Sequence, residues 1–233
     1  MELFDAHFQK QNIGGNLHYC DATSDYKMFR ETCEIDQMHH ICYLTFQEFF
    51  KKLVKINEPN IIETGTAAWG TNSTYLFNDY VRKFGGRFWT VDINQETSNK
   101  VMPHMCPATT VVTDDSVSFL NDWCQKGMTA NAVYLDSYDL DFSNPVPSAN
   151  HGLKEYYAIR PCLSAGSILL IDDTPISPYW TNSRDATYSL MKKNYETCDK
   201  YKMPGKGMYI TDHITSQDAT LLMHQYQLLY KFI

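Results

Sequence analysis

Carboxylates able to do chemistry recur at one kind of position in this 233-residue chain. Glu63, Asp92, Asp115, Asp136 and the pair Asp172-Asp173 each follow, at once or within two residues, a short apolar or β-branched run. Asp136, Asp172 and Asp173 converge if the runs NAVYLD and GSILLID are neighbouring strands. Three carboxylates packed close without a cation repel and raise each other's pKa. A hard divalent ion, Mg²⁺ with Mn²⁺ or Ca²⁺ as alternatives, relieves that repulsion through oxygen ligands. The plainer alternative is that Asp172 or Asp173 caps a loop or helix. Two groups are candidates for proton transfer. Asp139 lies three residues past Asp136, and His151 shares a helix face with Glu155 at i, i+4. His151 and Glu155 alone, without the His-Glu-x-x-His order, do not make a zinc site, and a solvated or capping histidine is the alternative.

The stretch Asn60–Gly70, NIIETGTAAWG, reads as a strand, a turn of small residues and then a helix over TNSTYLFNDYVRKF. That layout holds anionic or nucleotide-like ligands over free backbone N–H groups. Gly65 and Gly70 have the spacing of a phosphate loop, but Thr71 and Asn72 stand where lysine and serine or threonine are needed. Ala67 takes the middle glycine of a dinucleotide fingerprint. Glu63 would repel a pyrophosphate, yet it can accept hydrogen bonds from the ammonium end of an amino-acid ligand. These residues favour S-adenosylmethionine, with Glu63, Gly65, Thr66 and Gly70 as contacts; an ordinary turn with a solvated glutamate is the alternative. Asp92, ending the run RFWTVD, is placed for both ribose hydroxyls, or else to cap the next helix. Asp115 and Ser116 cap a helix and can also touch a purine edge.

The elements that must carry these groups follow from periodicity. Tyr43–Ile56 is helical, with Thr45 as a cap, and Thr109–Thr113 is a third strand. Strand four is Asn131–Asp136, a helix covers HGLKEYYAI, and strand five is Gly166–Asp172. A helix near Ser183–Tyr195, a short strand at Met208–Thr211 and a last strand in Leu221–Tyr230 complete the chain. Strands alternating with helices predict an α/β fold with a mostly parallel sheet, whose ligands gather at the carboxyl ends of the strands. Residues 1–40 read as an irregular lead-in or lid with one short helix, and 41–233 as one domain.

The net charge of −7 argues against nonspecific nucleic-acid or anionic-membrane binding. The seven cysteines, without a C-x-x-C pair, read as reduced thiols of a cytoplasmic protein rather than a disulfide framework. No apolar run approaches the ~20 residues of a membrane span, and the first residues lack a signal-peptide core.

Glu63–Thr66 (ETGT), Asp92, Asp114–Ser116 (DDS), Tyr134–Asp136 (YLD) and Leu169–Asp173 (LLIDD) together resemble class I S-adenosylmethionine-dependent methyltransferases. Their order and spacing are similar to the metal-dependent O-methyltransferases of the catechol and macrocin (sugar) types, over about Ile61–Thr174. The resemblance implies a Rossmann-like sheet of seven strands with the last antiparallel. It also implies a Mg²⁺-type ion on Asp136, Asp172 and Asp173, with Asp136 next to the cofactor. The catechol type has Asp-Asn after strand five and a lysine base where this chain has Asp139; Asp172-Asp173 follows the macrocin type. The expected reaction is methyl transfer to a hydroxyl of a small acceptor, a sugar or glycan before a catechol-type phenol, with Asp139 or His151 as base. A homodimer stays open as the assembly. The rival readings are a non-catalytic cofactor-binding protein, a dehydrogenase and a hydroxylase-like relative of the same fold.

Overall fold

In a computed structural model, which describes residues 2–13, 42–67, 71–141, 144–174 and 205–233, the apolar runs form one sheet. Its strands are β1 (Asn60–Thr64), β2 (Arg87–Asp92), β3 (Thr109–Thr113), β4 (Ala132–Leu135), β5 (Ile168–Ile171), β6 (Ala219–His224) and β7 (Leu228–Phe232). Their order is β3-β2-β1-β4-β5-β7-β6. The first five strands are parallel, and β7 runs antiparallel to both neighbours. The predicted Rossmann-like seven-stranded fold is therefore present.

Side chains alternate across a strand, so adjacent apolar residues demand cover on both faces. Ile61 packs with Tyr134 and Leu170 on one face, under α1 (Glu2–Ile13), α2 (Tyr43–Leu53) and α3 (Ser73–Phe84). Ile62 packs with Val133 and Leu169 on the other, against α5 (Ser116–Gln125) and α6 (Val146–Ile159). The remaining helix, α4 (Gln95–Val101), buries Val101 beside β2 and β3. The first face is strongly aromatic: Phe46 meets Tyr134 edge-on at 5.1 Å, and Phe50 stacks on Phe77 at 5.7 Å. Phe4 and Phe8 of α1 join that cluster, so the lead-in begins with a helix fastened to the core.

β1 and β4 part company at the sheet's switch in strand order, where Gly65 (φ +86°) turns the chain away. A Cβ there would stand 2.2 Å from the Asp136 carbonyl oxygen, so the close approach of the two strand ends requires glycine.

Several local expectations are corrected. Met208–Thr211 is no strand: turns from Gly205 and Gly207 lead into a short 3-10 segment, Ile210–Asp212, with Met208 N–H donating to Gly205 O at 3.1 Å. The last strand is two, because the polar Gln225–Gln227 stretch breaks the apolar run into a hairpin of β6 and β7. The helix expected over HGLKEYYAI begins earlier, at Val146, so His151 lies inside α6 and not at its start. Thr45 does not cap α2; Cys42 holds that position, and the Thr45 hydroxyl donates to Gln227 Oε1. Cys124 of α5 and Cys162, just after α6, form a disulfide with Cα atoms 5.5 Å apart, which overturns the reading of all seven cysteines as free thiols. The helix expected near Ser183–Tyr195 lies outside the described residues. No helix of the described residues is long and apolar enough to cross a membrane.

Candidate active site

Two groups of polar residues lie side by side at the carboxyl edge of the parallel strands. The first lines a cavity of about 280 Å³ made by Gly65, Val91, Asp92, Ile93, Asp115, Ser116, Ser137, Tyr138 and His151. Asp92, at the end of β2, accepts from the Thr66 backbone N–H at 3.0 Å and from the Asn94 N–H at 2.7 Å. It does not cap α4; Asn94 does, accepting from Glu96 N–H at 2.9 Å. Asp115 caps α5, accepting from Ser118 N–H at 2.9 Å. His151 Nε2 lies 3.0 Å from Ser116 Oγ, and its ring packs on Tyr138 at 5.3 Å. His151 thus stands at the same end of the cavity as Asp115.

Glu63 lies beneath this cavity and does not line it. It is fully buried, accepting from the hydroxyls of Ser73 and Thr74 at 2.5 Å and of Thr90 at 2.8 Å. Burial pushes its pKa up to about 7, against the pull of those three donors. Thr66 pairs its hydroxyl with Thr90 at 2.7 Å. Glu63 and Thr66 therefore tie β1, β2 and α3 into one block, with Gly65 presented to the cavity. Gly70 lies outside the described residues.

The second group is the acidic trio. One ligand atom from each of Asp136, Asp172 and Asp173 can be chosen so that all three lie within 4.8 Å of one another. Asp173 adopts a left-handed backbone (φ +43°), a conformation aspartate tolerates better than most residues. The sequence reading missed what fills the trio: Lys206, 3% exposed, bonds Asp136 Oδ1 and reaches Asp173 Oδ2 at 3.1 Å. Tyr134 OH donates to Asp136 Oδ2 at 3.0 Å, Tyr226 OH to Asp173 Oδ1 at 2.5 Å, and Gln227 Nε2 to Asp172 Oδ1 at 2.6 Å. Burial, with the charges of Asp136 and Asp173, raises the Asp172 pKa well above the usual carboxylate range. Burial opposes the charge on Lys206, but Asp136, Asp173 and Asp172 overcome it and hold the proton firmly. Burial likewise keeps the Tyr134 and Tyr226 phenols neutral, as donors.

The donors already in place decide whether a divalent ion fits. Three carboxylates of this type suit a hard ion. Yet of their six oxygens, five already accept from Lys206 (twice), Tyr134, Tyr226 and Gln227, and the lysine brings a positive charge. The cluster as built does not fit a resident metal. Asp139 is exposed on the loop after β4 and is not among the residues that line the cavity.

No family model and no curated protein matches the sequence. Among solved structures, the chain resembles the MycE methyltransferase of the mycinamycin biosynthetic pathway, determined with Mg, SAH and mycinamycin VI. The likeness has a TM-score of 0.51 at 14% identity, over 83% of this chain and 49% of that one. A DszA carbon methyltransferase matches over 99% of this chain and 60% of that one, at 12% identity and TM-score 0.47. The glycopeptide N-methyltransferase MtfA, complexed with S-adenosylmethionine, matches over 57% and 54%, at 15% identity and TM-score 0.39. This chain thus spans about half the length of the MycE chain. What the MycE likeness establishes is the fold, the Rossmann-like sheet on which such methyltransferases are built.

Proposed function

We propose that this chain transfers a methyl group from S-adenosylmethionine to a hydroxyl of a small acceptor, a sugar or glycan hydroxyl in the first place. The observation that carries this reading is the cavity between β1, β2 and β4, with the Asp92 carboxylate at one wall and Asp115 and Ser116 at another. The cofactor, when bound, supplies a methyl group made electrophilic by a sulfonium. Asp92 accepts from the ribose hydroxyls while its bonds to Thr66 and Asn94 hold it still. Ile93, which is 77% exposed at the cavity rim, and the Tyr138 ring give a planar base two apolar walls. Asp115, Ser116 and His151, which line the same cavity, would hold the edge of that base. Gly65 lets the rest of the cofactor pass close to the backbone between β1 and β4.

Asp139 is the group that takes the acceptor's proton. It is exposed on the loop beside Asp136, whereas His151 is held at the cavity's Asp115 end by Ser116. Mg²⁺, Mn²⁺ or Ca²⁺ has no part in this reading, because five of the six oxygens of the trio already accept from donors of the chain. The sugar acceptor rests on the resemblance of the Asp172-Asp173 pair to the macrocin type. Residues 41–233 form the methyltransferase domain in this reading, and 1–40 its lid. His7 Nε2, 2.7 Å from the Thr71 carbonyl oxygen, already sets α1 against the turn after β1. The cytoplasmic setting belongs to the same reading, without support from the thiols now that Cys124 and Cys162 are joined.

Calorimetry with S-adenosylhomocysteine tests the cofactor, and radiolabelled methyl transfer to a panel of sugars and phenols tests the acceptor. The reading expects binding and transfer to sugars; no binding of S-adenosylhomocysteine overturns it.

A further inference from the structure

Lys206 is not a surface lysine that happens to lie on an acid. It sits in Gly-Lys-Gly, at 205–207, and the chain around it leaves the backbone almost no freedom. Gly205 has φ +155°, and a Cβ there would stand 1.9 Å from the Asp173 carbonyl oxygen. That same carbonyl accepts from the Lys206 N–H at 3.2 Å, and the Gly207 N–H donates to Thr174 Oγ1 at 2.8 Å. From the other side, α6 presses on the lysine's carbonyl: a Cβ on Gly152 would stand 2.5 Å from Lys206 O. The loop is thus bonded to the end of β5 and wedged by α6, which fixes the backbone from which the lysine side chain extends.

The side chain ends between Asp136 Oδ1 and Asp173 Oδ2. Asp136 and Asp173 are also two of the three residues that would hold a divalent ion. Three of the four remaining oxygens accept from uncharged donors, Tyr134, Tyr226 and Gln227. Among the described residues, the cluster therefore joins three acids to one cation and three neutral donors.

We infer that the Lys206 ammonium is the resident cation of this cluster, seated where a metal would bridge Asp136 and Asp173, so that the chain works without a divalent ion. The occupancy stands on the geometry alone, while its consequence for catalysis rests on the methyl-transfer reading. In that reading Lys206 is a positioning residue: it holds Asp136 and Asp173 at a fixed spacing and supplies the positive charge beside the acceptor.

The test is a titration of the full chain with MnCl₂, counting bound ions by the loss of the free-ion paramagnetic resonance signal. The wild type and Lys206→Arg, which keeps the charge, are expected to bind no ion at the trio. Lys206→Met removes the charge but keeps most of the stem. It is expected to gain one site at least tenfold tighter than any in the wild type, and Lys206→Met with Asp173→Asn is expected to lose it. One equivalent of Mn²⁺ on the wild type, removed by Asp136→Asn, overturns the inference, as does a folded Lys206→Met that takes up no ion. Should Lys206→Met fail to fold in a thermal melt, the wild-type and Lys206→Arg titrations decide alone. Ion counts do not depend on S-adenosylhomocysteine binding, so failure of the methyl-transfer reading shows separately, in calorimetry of the same samples. If both readings hold, exhaustive chelation leaves wild-type transfer unchanged, and added Mn²⁺ alters transfer by Lys206→Met alone.

Discussion

Gln227 donates through Nε2 to Asp172 Oδ1 at 2.6 Å across 55 residues of sequence, and it is fully buried. The same nitrogen lies 3.3 Å from Tyr134 OH, and its Oε1 accepts from Thr45, so one neutral amide links α2, β4 and β5. Replacing it by leucine leaves Asp172 and Thr45 without that partner. Gln227→Leu should lower stability by roughly 1–3 kcal/mol, the cost of a buried polar group left unsatisfied. Urea unfolding measures it, and an unchanged midpoint would show the amide to be dispensable.

Asp92→Ala removes the acceptor assigned to the ribose. Affinity for S-adenosylhomocysteine should fall by roughly 1.5–3 kcal/mol, the range for a hydrogen bond to a charged group. Calorimetry reads this directly, and equal affinity in the variant would take the ribose away from Asp92.

Glu63 makes stability depend on pH. Burial raises its pKa from 4.5 to about 7. Below 4.5 both folded and unfolded chains hold the proton, and the contribution is fully present. As pH rises the unfolded chain ionises first, so stability is lost until about pH 7, where the native group ionises too. The full loss is on the order of 3 kcal/mol. Glu63→Gln should flatten the curve in that window; urea unfolding across pH tests it, and the same slope in the variant would mean that another group titrates there.

Asp139 and His151 separate by what each variant spares. Asp139→Asn should lose ~10²–10⁴-fold in kcat, the usual contribution of a positioned base, with S-adenosylhomocysteine binding intact. His151→Ala should weaken that binding, because His151 holds Ser116 at the cavity wall. Single-turnover rates beside calorimetry decide it: a normal rate in Asp139→Asn removes Asp139 as base.

Much of the frame was legible because apolar runs bounded by glycine or a carboxylate mark strands that end at a ligand edge. β2 and β3 fall where RFWTVD and TTVVT place them. Cys124 and Cys162 escaped notice because the pairing depends on how α5 packs on α6, which spacing does not reveal. Glu63 was placed on the right turn, but its burial under three hydroxyls depends on α3 docking. Lys206 was missed for a related reason: it lies 70 residues from Asp136, and only the sheet brings the two together. The trace it leaves in sequence is Gly-Lys-Gly, where two residues without side chains flank a cation.

That separation bears on the order in which the chain can fold. The trio is complete once β5 has been made, but Lys206, Tyr226 and Gln227 all come from the loop and hairpin that follow it. A ribosome delivers these parts in sequence, at ~5–20 residues per second. For several seconds the nascent chain therefore carries three acids and a half-built sheet edge at β5, before Lys206, Tyr226 and Gln227 have been made. Docking of the β6–β7 hairpin closes that edge, and the Lys206 loop just before it brings the charge that neutralises the acids, which makes the arrival of the two a natural final and cooperative step of maturation.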